Sequence, residues 1–391
     1  MSLPGRAEAV VVGGGVMGAS IAYHLTVRGV RDVLLLERAH VCAGPTSRST
    51  AIIRLHYTQP LLVRMAAHGL RAYRAFEDVV GGESGFVRTG MLFGADPGER
   101  AMLEGNVAVG RSEGVETHVV DAEQVAEIDP RVVADDLVFC YEPEAGYCDP
   151  YLITTGFALA AARGGARVVE GVRVVGVEAG RVATDAGDVA AGAVVVAAGP
   201  WSDRLLTTLG YTLPIVPARA EVGRFRLPPT FGTPPPAVAD FSAAQVYFRP
   251  AAEPGVLEVG SLDPRHAESP LDDPDACPEG AEPATLEAYR SALARRLRGA
   301  GGGHWRGSWS AVYDVTPDWE PAIGFVPGAE SVIVAAGFSG HGFKLAPAVG
   351  AVVAELVCDG RATSFDLALL DPLRFERGEL VGARYGYSVL G

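Results

Sequence analysis

Three glycines in the pattern G-x-G-x-x-G, Gly13, Gly15 and Gly18, follow an apolar run at residues 9–12 and open an apolar helical repeat at Ile21, Ala22 and Leu25. A strand that turns through glycine into a helix brings backbone N–H groups up to a pyrophosphate. Gly13 permits the tight turn, Gly15 the close approach, and Gly18 the packing of helix on strand. The helix N-terminus supplies the anion site. A second apolar run, residues 33–36, ends at Glu37, 19 residues after Gly18. A carboxylate there hydrogen-bonds an adenosine ribose and disfavours a 2′-phosphate. Strand, triplet, helix, strand and acid together read as a dinucleotide site. Near the other end of the chain lies a second glycine-rich turn, Gly337-Phe-Ser-Gly340-His-Gly342-Phe-Lys344, which carries the only lysine of the sequence. Where arginine has replaced every other lysine, the exception is a candidate functional cation.

The elements that must position these groups are set by an ordinary globular composition. Of 391 residues 48% are hydrophobic and 20% charged, which excludes a disordered or fibrous chain and gives two to three domains of typical size. The net charge of −14 opposes binding to nucleic acid or to an anionic membrane surface. No apolar run approaches the roughly 18 residues needed to span a bilayer. The run at 9–12 breaks at glycine without a cleavage-site context, so the expectation is a cytoplasmic protein. The five cysteines, Cys42, Cys140, Cys148, Cys277 and Cys358, are odd in number and form no CxxC or Cys/His ligand spacing. They read as reduced thiols, with no metal site.

After Glu37 the chain leaves the βα rhythm that a simple nicotinamide domain would continue. Its later apolar pieces fall at residues 166–177, 193–201 and 331–337, the last followed by a helix over 346–356. Between them, residues 85–148 and 215–321 have another texture, with strand-like alternation at 221–227, 245–248, 256–260 and 305–313. The proline-rich loop 270–283, with five acidic residues, reads as a surface excursion or a lid. A site closed by glycine turns from both ends of the chain suits a long, two-ended ligand such as FAD. The expected fold is α/β: a discontinuous Rossmann-like FAD-binding domain of residues 1–84, 149–214 and 322–365, and a second, mostly antiparallel β-sheet plus helices forming a substrate domain of residues 85–148 and 215–321. A tail, 366–391, packs on the FAD domain.

These residues resemble the D-amino-acid oxidase superfamily of FAD enzymes, most of all its sarcosine oxidase branch. The likeness spans nearly the whole chain and rests on the Gly13 to Gly18 fingerprint with Glu37, Ser47-Arg-Ser-Thr-Ala-Ile-Ile-Arg54 followed by Tyr57, Ala197-Ala-Gly-Pro-Trp-Ser202, Thr316-Pro-Asp318, and Gly337 to Lys344. It implies oxidation of an amine or amino acid at a C–N bond: a secondary amine, N-methyl or cyclic imino acid whose carboxylate is gripped by Arg54 and Lys344, with Tyr57, Tyr247 and Tyr313 around the substrate. It implies cofactor contacts at Gly13, Gly15, Val16, Met17, Gly18, Glu37, Arg38, Ser47, Ser49, Thr50, Val174, Ala198, Gly199, Trp201, Gly337, Gly340, His341, Gly342, Phe343 and Lys344. His341 is expected to serve the turn through its backbone or to act as a base.

The chain departs from the family pattern in three places. The cysteine and histidine that link FAD covalently in some members correspond to Ala311 and Arg48, so FAD is expected to be non-covalent. The lysine that some oxidases place over the flavin corresponds to Glu258, a nearby histidine to Leu262, and a flavin-flanking arginine to Ala51. An ionised carboxylate there would oppose superoxide formation. The electron acceptor, oxygen or another, therefore stays open, as do a dehydrogenase subunit passing electrons to a partner and a biosynthetic tailoring oxidase.

Overall fold

In a computed structural model of the chain, which describes residues 3–382, the strand Arg6–Val12 sits between two parallel neighbours, Gly187–Val196 and Val33–Glu37. Arg167–Glu170 continues the sheet beyond Val33–Glu37, and Ala329–Ala336 lies parallel to Gly187–Val196. An antiparallel hairpin, Val174–Glu178 and Arg181–Thr184, also pairs onto Gly187–Val196, and Ala322–Val326 pairs antiparallel to Ala329–Ala336. The apolar stretch at residues 166–177, read as one piece, is two strands on opposite sides of the sheet. The chain breaks at Gly171, whose φ of 74° suits glycine.

Central parallel strands are buried on both faces, which explains their continuous Val, Leu and Ala runs. On one face, the helices Val16–Val27, Pro150–Arg163 and Ala346–Asp359 bury Ile21, Leu25, Phe157, Val349 and Val353 against Val11 and Leu35. The opposite face covers Val10, Leu34 and Val194 with Leu205, Leu206 and Leu213. All the parallel strands therefore present their carboxyl ends, Val12, Glu37, Val196 and Ala336, at one edge. That is the edge at which open α/β sheets bind ligands.

A second eight-stranded sheet runs in the order His304–Val315, Val216–Arg226, Val256–Ser261, Val246–Pro250, Ala237–Asp240, Met91–Ala95, Val138–Glu142, His118–Val120. Every neighbouring pair is antiparallel except Ala237–Asp240 with Met91–Ala95. A small third sheet, Ile52–Ile53, Gly146–Tyr147 and Val87–Arg88, lies beside it. Arg249 joins these parts. Its Nε donates to Thr50 O at 2.6 Å, and its guanidinium lies 4.0 Å from the centre of the Tyr147 ring. The Thr316-Pro-Asp318 motif ties down the chain's end: Asp318 takes two hydrogen bonds from Arg374, at 2.8 and 3.0 Å, and one from Val381 N at 3.1 Å. Leu370 is fully buried in the first core, whereas residues 383–391 of the expected tail lie outside the described residues. No helix among the described residues is long and apolar enough to cross a membrane, and the five cysteines are free.

Glycine sets how closely the helices approach. A Cβ on Gly18 would lie 1.8 Å from Gly13 O, and one on Gly350 would lie 2.3 Å from Ser20 Oγ and 2.4 Å from His24 Nδ1. Ser20 donates from the same contact to Ala346 O at 2.7 Å. Alanine in place of helical glycine gains up to ~1 kcal/mol of propensity, but overpacking a tight contact costs roughly 1–3 kcal/mol. Gly350→Ala is therefore expected to lower the thermal midpoint of unfolding, and an unchanged or higher midpoint would contradict this packing.

Candidate active site

A cavity of about 590 Å³ opens along the carboxyl edge of the parallel sheet and reaches the second sheet. Glu37, Arg38, Val174, Ala198, Gly199 and Trp201 line one end; Gly13, Gly15, Val16, Met17, Ser49 and Thr50 follow; Arg54, Tyr247, Tyr313, Gly340, His341, Gly342, Phe343 and Lys344 line the other. Gly18, Ser47, Gly337 and Tyr57 are not in the lining. Gly18 packs helix on strand, Ser47 Oγ donates back to Gly44 O at 3.0 Å, and Gly337 N donates to Asp314 Oδ2 at 2.7 Å. Asp314, Arg204 and Thr46 also line the cavity, and no motif marks them in the sequence.

The donor set suits a dinucleotide. The helix Val16–Val27 begins at Gly15 with no side-chain cap and no acid in its first turn, and only Thr46 Oγ1 reaches it, accepting from Val16 N at 3.2 Å. No acid of the helix itself stands at its positive end, and the Glu37 carboxylate beside it is taken up by Gly14 N, so the N–H groups of the first turn are left to a pyrophosphate. Glu37 is held at its strand end by Gly14 N, at 2.7 Å, and Ala39 N, at 2.9 Å.

At the other end, two cations from opposite halves of the chain approach one aromatic ring. The Arg54 guanidinium lies 4.4 Å from the centre of the Tyr57 ring and Lys344 Nζ lies 5.7 Å from it. Arg54 donates to His56 O, and Lys344 Nζ donates to His341 O at 3.0 Å. Both side chains are buried. Burial, then the neighbouring Arg54 charge, pulls the Lys344 ammonium well below its usual range, against the pull of Glu142. Tyr57 stands behind the cavity wall, where its hydroxyl meets His341 Nδ1 at 3.3 Å. His341 Nε2 sits 2.7 Å from Trp319 O, so Nε2 carries the proton and Nδ1 accepts from Tyr57. Burial and Lys344 push His341 down to about 3. A ring so hard to protonate, with both nitrogens engaged, is a strut for the turn and not a base. Tyr247 and Tyr313 complete the wall: Thr50 Oγ1 donates to Tyr247 OH at 3.4 Å, and the Tyr313 ring occupies the space a Cβ on Gly340 would need, 2.6 Å away.

Three carboxyls are buried around the site, two of which, Glu142 and Glu320, feel the Arg54 charge. Glu142 Oε2 accepts from Leu55 N at 2.9 Å, next to Arg54, and burial pushes it up to about 7 against that hydrogen bond and the Arg54 and Lys344 charges. Asp314 is raised by burial to about 6, while backbone N–H groups of the second glycine turn oppose the rise. Glu320 is pushed to about 8 by burial and by Asp318, and its Oε2 has no hydrogen-bond partner among the described residues. A Cys140–His56–Asn106 line also forms behind Arg54, at 3.6 and 3.4 Å. Burial raises that thiol and pushes His56 to about 3, so the line supports Arg54 and offers no nucleophile.

One expectation is overturned. Glu258 is not an uncompensated charge beside the cofactor. It stands opposite Arg249 and Arg224 on the flanking strands, pairs with Arg249 at 2.6 Å, and is not in the cavity lining. A lysine there would meet two arginines. Arg48 and Ala311 do line the cavity, with Arg48 fixed by Ser310 O at 3.0 Å and by Trp309 Nε1 at 2.8 Å.

The raised carboxyls fix the sign of a pH dependence. Glu142 and Glu320 hold protons in the folded state that the unfolded chain releases above its usual value of 4.5. The contribution of these two carboxyls to stability therefore falls as pH rises from about 4.5 to 8, while the buried His56 and His341, lowered to about 3, contribute in the opposite sense up to about 6.5. Glu320→Gln is expected to leave the thermal midpoint near pH 5 unchanged and to raise it at pH 8; equal pH slopes for the two proteins would show that Glu320 is not a buried proton holder.

The comparisons with known proteins agree with this geometry. The DAO family, described as FAD dependent oxidoreductase, matches residues 8–356. The 4-methylaminobutanoate oxidase (formaldehyde-forming) of Paenarthrobacter nicotinovorans is 30% identical over 95% of this chain, which spans only 46% of that protein. A probable sarcosine oxidase of Arabidopsis thaliana is 28% identical over 92% of this chain and 89% of its own length. The structure of L-proline dehydrogenase from P. horikoshii superposes with a TM-score of 0.87 at 29% identity, covering 97% of this chain and all (100%) of that one. Glycine oxidase from Geobacillus kaustophilus gives 0.81 at 25% identity, covering 95% and 99%. With a family match across both sheets and the cavity between them, the chain belongs to the DAO family of FAD-dependent oxidoreductases.

Proposed function

We propose that the protein oxidises a small amine that carries a carboxylate: a secondary amine, an N-methyl amino acid or a cyclic imino acid. The observation that carries this reading is the approach of two buried cations, Arg54 and Lys344, to one ring at the end of the FAD cavity. Arginine offers a planar fork that matches both oxygens of a carboxylate, and lysine adds a point charge. When bound, FAD supplies the two-electron acceptor for the hydride on the carbon next to nitrogen, and the resulting imine is hydrolysed by water. The chain's own residues anchor the carboxylate, so that the amine-bearing carbon is held toward the cofactor. Tyr247 and Tyr313 exclude water, and their burial raises both phenols, so neither is an anion. No base is needed beside the nitrogen if the amine binds neutral.

The names of the relatives support the substrate class without selecting a member of it. Neither linking position carries a cysteine or histidine, and Cys277 Sγ, 3.9 Å from Ala311 O, stays outside the cavity lining; FAD is accordingly read as non-covalent. Acid precipitation is expected to leave the flavin in the supernatant, and flavin retained on the polypeptide would contradict this.

A second reading concerns the electron acceptor. The position that carries lysine in the resembling oxidases is here locked in the Arg224–Glu258–Arg249 ladder. Glu258 lies outside the cavity lining, so this strand position brings neither a cation nor an opposing charge to the cavity, and it is on the resemblance alone that we read a dehydrogenase passing electrons to an acceptor other than oxygen. Reduced enzyme mixed with aerated buffer is expected to reoxidise slowly, and fast reoxidation would remove this reading.

Anaerobic addition of amines and amino acids, followed by flavin absorbance, tests the main proposal. Carboxylate-bearing secondary or cyclic amines should bleach the flavin; bleaching by none of them, or equally by amines without a carboxylate, would contradict it. Arg54→Met should weaken substrate capture by roughly 2–5 kcal/mol, the value of a desolvated charge pair, with FAD content unchanged. Unaltered kinetics would make Arg54 a structural residue.

A further inference from the structure

The acidic proline-rich loop does not stand off in solvent. Both of its ends are fastened to the second sheet: Leu271 N donates to Pro217 O at 2.8 Å, Arg219 donates to Gly280 O at 2.9 Å, and Ala281 N donates to Ser308 Oγ at 2.9 Å. Its middle, a short 3-10 turn at Pro274–Ala276, reaches across to the nucleotide end of the cavity. There Asp275 pairs with Arg38 at 2.7 Å and accepts from Trp201 Nε1 at 3.1 Å. Asp273 pairs with Arg204 at 2.8 Å, and Arg204 also approaches Asp275 at 3.8 Å. The Arg38 guanidinium stacks 4.0 Å from the centre of the Trp201 ring. Arg38, Trp201, Arg204 and Asp275 all line the cavity beside Glu37. The three cavity residues besides Asp275 belong to the parallel-sheet side, so the contact bridges the two halves of the cleft.

We propose that residues 273–275 form a latch across the nucleotide end of the cavity, and that its opening sets the rates at which FAD enters and leaves. The proposal rests on this cavity being the FAD site. Side-chain exposure decides the kind of device. At 30 to 49% these pairs are open to water and salt, so each is individually weak and screened. A network of that strength opens readily. A latch differs from an ordinary cofactor contact: its removal lets FAD in faster as well as out faster, because the same opening precedes both steps, whereas loss of a contact with bound FAD raises only the dissociation rate.

Apoprotein prepared from the unmodified chain and from Asp273→Asn/Asp275→Asn is mixed with FAD, and quenching of flavin fluorescence gives the association rate; dissociation is followed by dilution into an FAD trap. With up to three exposed pairs removed, both rates are expected to rise roughly threefold to tenfold, with the dissociation constant changed by less than about twofold. Added salt should speed dissociation from the unmodified protein and leave the variant's rate nearly constant. Because that salt series uses the unmodified chain, it stands even if the variant fails to fold. Unchanged rates, a rise in dissociation alone, or tighter binding in the variant, the mark of an aspartate that competes with FAD for Arg38, would each overturn the latch. Failure of the unmodified apoprotein to take up FAD at all would instead remove the cofactor reading on which it rests.

Discussion

Two basic side chains buried against one ring are the constraint on which the site depends, and the architecture around them holds them there. Arg54 and Lys344 approach Tyr57 from segments 290 residues apart. Taking a charge out of water costs several kcal/mol unless it is paired and hydrogen-bonded. Here the compensation is built from backbone carbonyls, His56 O and His341 O, and from Glu142. Those carbonyls are fixed in turn: His56 is stacked on Phe93, and His341 is strung between Tyr57 and Trp319. The first belongs to the side of the second sheet, the second to the glycine turn that ends the parallel strand Ala329–Ala336. The cations can meet only if the two sheets dock in this arrangement.

The docking depends on close approach. Gly69, in the helix Pro60–Arg74, would place a Cβ 1.9 Å from Lys344 O, so that helix seats the lysine's backbone directly. Tyr73, one turn on, donates to Phe343 O at 2.6 Å. On the far side, the buried Asp318–Arg374 pair clamps the segment between the second sheet and the last strand of the first. None of Gly69, Tyr73, Asp318 and Arg374 lines the cavity, yet the first two fix the backbone of Lys344 and Phe343, which do. Rigid support of this kind lets a site hold an anion without paying reorganisation energy when it binds.

Much of this was legible in the residues. The strand, glycine turn, helix and acid at the N-terminus form as their spacing requires, because the turn's geometry is local and only glycine fits it. The second sheet's strand at 216–226 follows the period-two alternation of a half-buried strand, while 246–250 is buried at every residue and was legible as a short apolar and aromatic run. The solitary Lys344 marked itself by composition. What stayed hidden was non-local. Nothing near Glu258 foretells the arginines opposite it, since cross-strand partners are set by register. Asp314, Glu142 and Glu320 carry no motif, and their roles arise from burial. Tyr57 matches a pocket position in the resemblance, yet it lies one layer behind, where it carries the cations without lining the cavity. The acidic loop looked solvated because its partners, Arg38, Trp201 and Arg204, come from two distant segments.

The claim at the centre of this account is that Arg54 and Lys344 form a receptor for one carboxylate beside the flavin. It is tested most directly by titrating the FAD-loaded protein with propionate and with propionamide, which share shape and differ in charge, while following the perturbation of the flavin absorbance. The account predicts that propionate shifts the spectrum and binds at least tenfold more tightly than propionamide, a difference of about 1.4 kcal/mol or more, and that this preference disappears in Arg54→Met. Equal affinity for the acid and the amide, or a preference for the acid that survives loss of Arg54, would contradict it.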